Sequence, residues 1–169
     1  MKNIVFFPLI CLLLLATTNA LNAQSSCMVT HYTRAEYAAG SQNWSIDIDK
    51  QGFVYAANNN GLLKYDGVGW RTFPIPSRTI VRSVSVGSDN RIYTGSNEEF
   101  GYWDEDPTLG LKYTSLVPLV KNFDLHNQEI WKIVQLGNKV YFQGFSCLLV
   151  YDQHSVKPIT LPGSIIFLI

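Results

Sequence analysis

Residues 45–55 read SIDIDKQGFVY, and residues 61–67 read GLLKYDG. In the first stretch Ile46 and Ile48 alternate with polar residues, which is typical of a half-buried β-strand. A glycine-containing turn follows, and a second run ends at an aromatic residue, so the stretch predicts an antiparallel hairpin. The second stretch adds a further strand that ends at an aromatic-Asp pair. Together the two stretches predict consecutive antiparallel strands joined by tight turns.

The same pattern recurs twice, in residues 83–104 and 133–152. Each of the three units has two aromatic landmarks, and both landmarks move by 38 and then by 48 residues between units. The landmarks are Tyr55 and Tyr65, Tyr93 and Trp103, and Tyr141 and Tyr151. The alternating pairs of the later units are Val84 and Val86, and Val134 and Leu136. Landmarks that recur at the same intervals indicate an internal repeat.

Four short strands in about 40 residues, repeated along the chain, are typical of a β-propeller. The sequence therefore predicts an all-β fold of antiparallel four-stranded blades. The blades are predicted at residues 43–78, 79–128 and 129–160, and residues 161–169 would begin the next blade. A β-sandwich has similar strand spacing, but it gives no reason for the landmarks to repeat.

Three blades and the first strand of a fourth make an incomplete ring, because known propellers use about 4–8 blades. We therefore expect an N-terminal fragment of a longer protein. The alternative is that another chain completes the ring.

The N-terminus resembles a secretory signal peptide. Lys2 is followed by an apolar run over residues 4–16, which is short for a membrane span of roughly 20 residues. We expect a signal-peptide helix in residues 1–23, with cleavage between Ala23 and Gln24 and a lead-in segment over residues 24–42; a retained anchor is the alternative. The mature chain would be exported to the periplasm, where its two cysteines, Cys27 and Cys147, could either pair or stay free.

Composition excludes several classes of function. The chain has 169 residues, with 13 basic against 13 acidic side chains and no basic run. Such a balance argues against nucleic-acid binding. Hydrophobic residues make up 47% of the chain, which argues against intrinsic disorder.

The repeats resemble a known family. Residues 60–67, NGLLKYDG, with Trp70 are similar to the "G-L-x-x-Y-D-G-x-x-W" strand pair of two-component regulator propeller repeats. Further similar stretches are QNWS at 42–45, VRSV at 81–84, RIYTGS at 91–96, EFGYW at 99–103 and IWKI at 130–133. The last two stretches resemble a branch in which a periplasmic propeller precedes a triple-tyrosine domain, a membrane span and a cytoplasmic output. That output is a LuxR-type helix-turn-helix or a histidine kinase.

The resemblance implies a non-catalytic periplasmic sensor that responds to an external ligand, often a carbohydrate in the kinase branch. The output domains of the family have no counterpart in these 169 residues. We expect the missing C-terminal propeller and output domains to be this chain's partners. The alternative function is a stand-alone secreted binding or structural module that associates with copies of itself.

Ligand contacts in a repeat protein should lie at positions that differ among units, in loops near the central channel. The candidates on this argument are Asn58, Asn59 and Asn60 in the first unit, and Asn97 and Glu98 in the second. A polar rim flanked by aromatic residues would suit an oligosaccharide.

No catalytic or metal constellation is expected. Residues 47–52, DIDKQG, begin like a calcium loop, but Gln51 and Asn58 stand where such a loop needs ligands, so a turn is favoured. Asp104 is predicted to open a hairpin turn that Pro107 closes, rather than to act with its acidic neighbours on a sugar. We therefore expect neither an enzyme nor a cofactor.

Overall fold

The computed structural model describes residues 29–160 and Gly163. The predicted signal peptide with its cleavage site lies outside the described residues, as do Cys27 and nearly all of the predicted start of a fourth blade.

Twelve strands within the described residues form three antiparallel four-stranded sheets. The first sheet contains β1 (Asn43–Ile48), β2 (Val54–Asn58), β3 (Gly61–Tyr65) and β4 (Trp70–Phe73). The second contains β5 (Val81–Val86), β6 (Ile92–Ser96), β7 (Phe100–Asp106) and β8 (Gly110–Ser115). The third contains β9 (Lys132–Leu136), β10 (Lys139–Gln143), β11 (Cys147–Tyr151) and β12 (Val156–Thr160). The predicted all-β fold of four-stranded blades is confirmed.

Helical structure in the described chain is limited to α1 (Arg34–Tyr37) and a short 3-10 helix (Val117–Leu119). Neither of these segments could cross a membrane.

The aromatic landmarks occupy equivalent positions in the three blades. Tyr65 pairs with Val54, Trp103 with Ile92, and Tyr151 with Val140, at the matching step of each central hairpin. The repeat identified from the residue spacing therefore corresponds to equivalent positions in the strand pairing of the three blades.

The predicted turn at Asp104 is wrong. Asp104 lies within β7 and pairs with Lys112, because the outer hairpin of the second blade continues as far as the pair formed by Asp106 and Gly110. Asp106 opens the turn instead, and its Oδ1 accepts hydrogen bonds from the backbone N–H groups of Thr108 and Leu109.

The hydrophobic core lies between neighbouring blades. Tyr55, Leu62 and Phe73 of the first blade pack against Val84 and Trp103 of the second. A second cluster joins the second blade to the third; it includes Tyr93, Phe100, Ile133, Phe142, Leu149 and Tyr151. Each blade therefore buries its apolar surface against the next, as propeller blades do.

The first strand of each blade packs against the first strand of its neighbour. The Ser45 Oγ accepts a hydrogen bond from the Val84 N–H, and the Asp47 carboxylate accepts one from the Val86 N–H. The register makes Ile133 and Gln135 the equivalents of Val84 and Val86. The repeat in the third blade is therefore one residue earlier than its Val134 and Leu136 pattern indicates.

Part of the lead-in segment packs on the first blade. The Tyr32 ring lies 5.6 Å from the Trp70 ring, and the Tyr32 hydroxyl donates to that of Tyr65. Tyr37 and Ala39 pack with Leu63 in a small apolar cluster. Residues 32–40 are called the strap below.

Candidate functional site

The predicted site residues lie at one end of the blades, which we call the connection end. This end carries the three central-hairpin turns, at residues 59–60, 97–99 and 144–146, together with the segments that join one blade to the next. The antiparallel order of the strands places these loops together, because every first strand begins here.

Asn58 is buried, and its side chain is engaged within the chain. Its Nδ2 donates to the carbonyl oxygens of Gly40 and Gln42 and to the Asn43 side chain, and its Oδ1 accepts from the Gly40 N–H. The side chain therefore fastens the strap to β2 and is not presented to a ligand. Asn60 is exposed beside it.

Asn59, a predicted rim residue, forms a hydrogen bond with an aromatic side chain. Its Oδ1 accepts a hydrogen bond of 2.8 Å from the Trp44 indole N–H. The contact fixes the orientation of the Trp44 ring, which lies at the start of β1.

Asn97 and Glu98 are tied to the connection that leads into the third blade. Asn97 forms a β-bridge with Glu129, and the Glu98 N–H donates to the Gln128 carbonyl. The Glu98 carboxylate accepts from the Asn127 N–H and lies 3.1 Å from the His126 ring nitrogen. Asn97 is exposed and stays available at the rim.

Three equivalent positions near the start of the first strands carry Trp44, Arg82 and Trp131. The Arg82 guanidinium lies 4.0 Å from the centre of the Trp44 ring and 4.8 Å from that of Trp131. The two rings meet edge to face, with their centres 5.9 Å apart, and the guanidinium packs in the corner that they form. An arginine in contact with aromatic rings is attracted by their π-electrons and is held in one orientation.

β-Bulges help to place two of these side chains. The register of β1 on β2 shifts between Asn43 and Ser45, and that of β5 on β6 shifts between Val81 and Ser83. Trp44 and Arg82 are the extra residues. A bulge redirects a side chain away from the regular alternation of its strand, and bulges are frequent near functional sites.

Phe145 extends this group outwards from the third central-hairpin turn. Its ring lies 6.1 Å from the Trp131 ring, and the exposed fractions of the two side chains are 43% and 37%. We call Trp44, Arg82, Trp131 and Phe145 the platform.

Sequence reasoning missed the platform as a site, although the signal was present. The rule that contacts lie at positions differing among units was applied to the first two central turns, and in the third it points to Phe145. At one repeat position, Arg82 also differs from Trp44 and Trp131. Aligning them required knowledge of the bulges, which the spacing of the landmarks does not reveal.

An ion pair between Arg82 and Glu129 lies at the platform. The Glu129 Oε2 lies 3.3 Å from the Arg82 Nε, and the Arg82 Nη2 donates to Oε1 at 3.3 Å. The Nε contact has the distance of an ion pair without the alignment of a hydrogen bond. Nε and Nη1 are both buried with no hydrogen-bond partner among the described residues.

A groove of about 390 Å³ runs from the platform between the first strands of the three blades. It is lined by residues 44–47, 83–85 and 131–133. Indole rings, serine hydroxyls and the Lys132 side chain bring apolar and polar surface together, and the volume lies in the range of small-ligand sites.

A larger cleft of about 590 Å³ lies at the opposite end, between the second and third blades. Its central cation, Arg91, donates to Asp104 and to Gln153 and stacks on Tyr102. The Tyr93 hydroxyl donates to Asp89, and burial raises the pKa of Tyr93 to about 12. Because these groups bond one another, we favour the groove as the ligand site.

The acidic loops form hydrogen bonds with the chain. Asp47 accepts the N–H groups of Ile48 and Val86, while Asp49 accepts those of Gln51 and Phe53 and the Tyr55 hydroxyl. No group of three or more potential metal ligands occurs within the described chain. Cys147 is unpaired and buried, and burial raises the pKa of its thiol.

The fold and the groove define a segment of a β-propeller with an axial, aromatic-rimmed cavity. No family model matches the chain, and no curated protein matches it by sequence. Solved structures do match. The extracellular domain of BT4673 from B. thetaiotaomicron, described in one structure as a one-component system, matches with a TM-score of 0.55 and 16% identity. A second structure of that domain, described as a hybrid two-component system, has a TM-score of 0.51 and 15% identity.

Virginiamycin B lyase from Staphylococcus aureus matches with a TM-score of 0.54 and 15% identity. Each match covers 75% of this chain, but only 17% of the BT4673 chains and 44% of the lyase. At such identities the similarity is one of fold. The chain spans a small part of the length of these proteins.

Proposed function

We propose that this chain is a ligand-binding propeller segment of a periplasmic sensor that belongs to a signal-transduction or transcriptional regulator. The observation that carries the proposal is the groove at the connection end, which is lined by the Trp44 and Trp131 side chains and lies beside the partly exposed Phe145 ring.

The proposal names an oligosaccharide as the ligand class. Two partly exposed aromatic rings, Trp131 and Phe145, offer flat apolar surface on which the C–H face of a sugar ring can stack. Asn59 and Asn97 at the rim and the exposed Lys132 side chain in the groove supply donors and acceptors for sugar hydroxyls. The fold of the BT4673 extracellular domain supports a sensor role by analogy.

Binding rather than catalysis is proposed because the carboxylates near the groove already accept hydrogen bonds from the chain. Asp47 accepts two backbone N–H groups, and Glu129 accepts from Arg82. A general acid or base needs a carboxylate that faces its substrate. The similarity to a lyase is one of fold and assigns no reaction to these residues.

Ligand binding is tested by titrating the protein with panels of neutral and acidic oligosaccharides while recording tryptophan fluorescence and binding heat. Two of the chain's four tryptophans, Trp44 and Trp131, belong to the platform and report directly. Trp131→Ala should weaken binding by about tenfold or more, since an aromatic contact with a bound ring contributes about 1–3 kcal/mol in comparable stacking sites.

Val68→Ala is the matched control, because Val68 is exposed in the turn between β3 and β4 at the opposite end. It should bind as the unmodified chain does. If Trp131→Ala and Val68→Ala bind every responding saccharide equally well, the platform is not the site; if no saccharide responds, the ligand class is wrong.

Export to the periplasm belongs to the same proposal. It is supported by the signal-peptide pattern of residues 1–23. N-terminal sequencing of the exported protein should begin at Gln24, and a sequence that begins at Met1 would contradict cleavage.

A further inference from the structure

The least satisfied charged group found at the platform is the Arg82 guanidinium. A guanidinium has five N–H donors. In the described chain Nη2 makes a hydrogen bond to Glu129 that is long at 3.3 Å, and Nε lies 3.3 Å from the other Glu129 oxygen without forming a hydrogen bond, while Nη1 is buried and forms none. Buried donors without acceptors are costly, and good Arg–carboxylate pairs are shorter and doubly bonded.

Arg82 is prevented from turning towards other acceptors. Trp44 and Trp131 lie 4.0 and 4.8 Å from the guanidinium carbon, and the Arg82 side chain is only 14% exposed. The donors of Arg82 are therefore held beside the groove, whose lining includes both rings, with fewer acceptors than they can use. Such an arrangement favours an oxyanion that approaches the edge of the guanidinium that is paired with Glu129.

The local charge is balanced while Glu129 is paired with Arg82. Arg82 and Lys132 stand against the carboxylates of Glu129 and Asp47, and Asp47 and the exposed Lys132 line the groove. The Asp47 carboxylate accepts backbone N–H groups on both of its oxygens. An anion that displaces Glu129 from Arg82 therefore meets two cations and one carboxylate, that of Asp47.

We propose that the platform binds an oxyanion, the carboxylate or sulfate of an acidic saccharide, which takes the place of Glu129 on Arg82. The aromatic rings hold the sugar, and Arg82 distinguishes acidic from neutral sugars. Glu129 neutralises Arg82 until the ligand arrives. The inference rests on the proposed saccharide-binding function and names the substrate class of that site.

The test compares three probes, sodium glucuronate, glucose and sodium sulfate, by tryptophan fluorescence at constant ionic strength set with NaCl, because screening by salt would otherwise differ. Glucuronate should bind the unmodified chain about tenfold more tightly than glucose, and sulfate should bind as well.

Two variants separate the role of charge from that of folding. Glu129→Gln removes the competing charge, so it should strengthen glucuronate and sulfate binding by about tenfold and leave glucose unchanged. A gain of affinity cannot come from a misfolded chain. Arg82→Gln should abolish the response to both anions, while Arg71→Gln, which removes an exposed arginine of β4, should bind as the unmodified chain does.

The outcomes separate this inference from the function on which it rests. Equal affinity for glucose and glucuronate would overturn the oxyanion site and leave saccharide binding standing. A response to sulfate that depends on Arg82, with none to either sugar, would leave the oxyanion site standing and contradict saccharide binding. No response to any probe, or weaker anion binding by Glu129→Gln, would overturn the inference.

Discussion

At the scale of single residues, the adjacent Asn58 and Asn59 have different roles. Asn58 is buried and joins the strap to β2, whereas its neighbour Asn59 turns outwards and holds the Trp44 indole. Asn58 is the last residue of β2 and Asn59 begins the turn, so two adjacent asparagines serve different neighbours.

Asn58→Ala is expected to destabilise the chain by about 2–3 kcal/mol, because it leaves the carbonyl groups of Gly40 and Gln42 and the Gly40 N–H without their partner. Urea denaturation followed by circular dichroism measures the change. Asn60→Ala, at an exposed position in the same turn, should change the free energy of unfolding by less than about 0.5 kcal/mol. Equal effects of the two substitutions would contradict the assigned role of Asn58.

At the scale of elements, the turns of the outer hairpins share one device. Asp66, Asp106 and Asp152 each accept two backbone N–H groups of the turn that follows. These backbone hydrogen bonds stabilise the ionised form and lower the pKa of all three carboxyl groups from the ordinary value of 3.8.

Acid should therefore weaken these turns. Each of these carboxyl groups has a lower pKa in the folded chain than in the unfolded chain, where it is 3.8. The ionised carboxylate therefore stabilises the fold above pH 3.8, and this stabilisation is lost as the pH falls through the pKa of the folded chain. The urea concentration at the midpoint of unfolding should be constant above about pH 5, and it should decrease as the pH is lowered beyond about 3.8.

The triple variant Asp66→Asn, Asp106→Asn and Asp152→Asn keeps an acceptor oxygen in each turn but does not titrate. Its urea midpoint should fall less steeply in acid than that of the unmodified chain. Asp124→Asn, outside the outer hairpins, is the control. Identical acid slopes for the triple variant and the unmodified chain would show that these carboxylates do not govern acid stability.

At the scale of the whole molecule, stability depends on the joints between blades. Gly95 on β6 lies at the joint between the second and third blades, where a Cβ would come within 2.4 Å of the Ile130 side chain and 2.5 Å of the Ser83 hydroxyl. The Ser83 hydroxyl donates to the Ile130 carbonyl across the same joint. The two blades approach closely here because glycine has no side chain.

Gly95→Ala is expected to force the joint apart and to destabilise the chain by about 1–3 kcal/mol through overpacking. Gly69→Ala is the matched control, since nothing lies within 4 Å of a Cβ at Gly69. Thermal unfolding of both variants distinguishes them. A stable Gly95→Ala variant would mean that the blades pack less closely at this joint.

Much of the fold was predictable from local pattern. The alternation of Ile46 and Ile48 and the shared intervals between aromatic landmarks report strand period and repeat length, which are properties of neighbouring residues. The turn at Asp106 was not predictable from local sequence. Its position depends on how far the pairing of β7 with β8 extends, and this pairing continues to Lys112 and Gly110.

The site was predictable in part. The rule of variable loop positions selected the connection end, where the proposed groove lies, and named Asn59, which holds Trp44. It also named Asn58, whose burial depends on the strap, a segment distant in sequence. Arg82 differs from Trp44 and Trp131 at its repeat position, but it became a candidate only through its contact with both indole rings.

The sequence by itself determined the blade as a unit, since strand alternation, tight turns and repeated landmarks are encoded within about 40 residues. The tertiary structure alone decided which residues meet at the connection end. Trp44, Arg82 and Trp131 are far apart in the chain, and they meet because each blade buries its apolar face against the next. That packing aligns the first strands side by side, and the bulges in β1 and β5 then place the guanidinium against both rings.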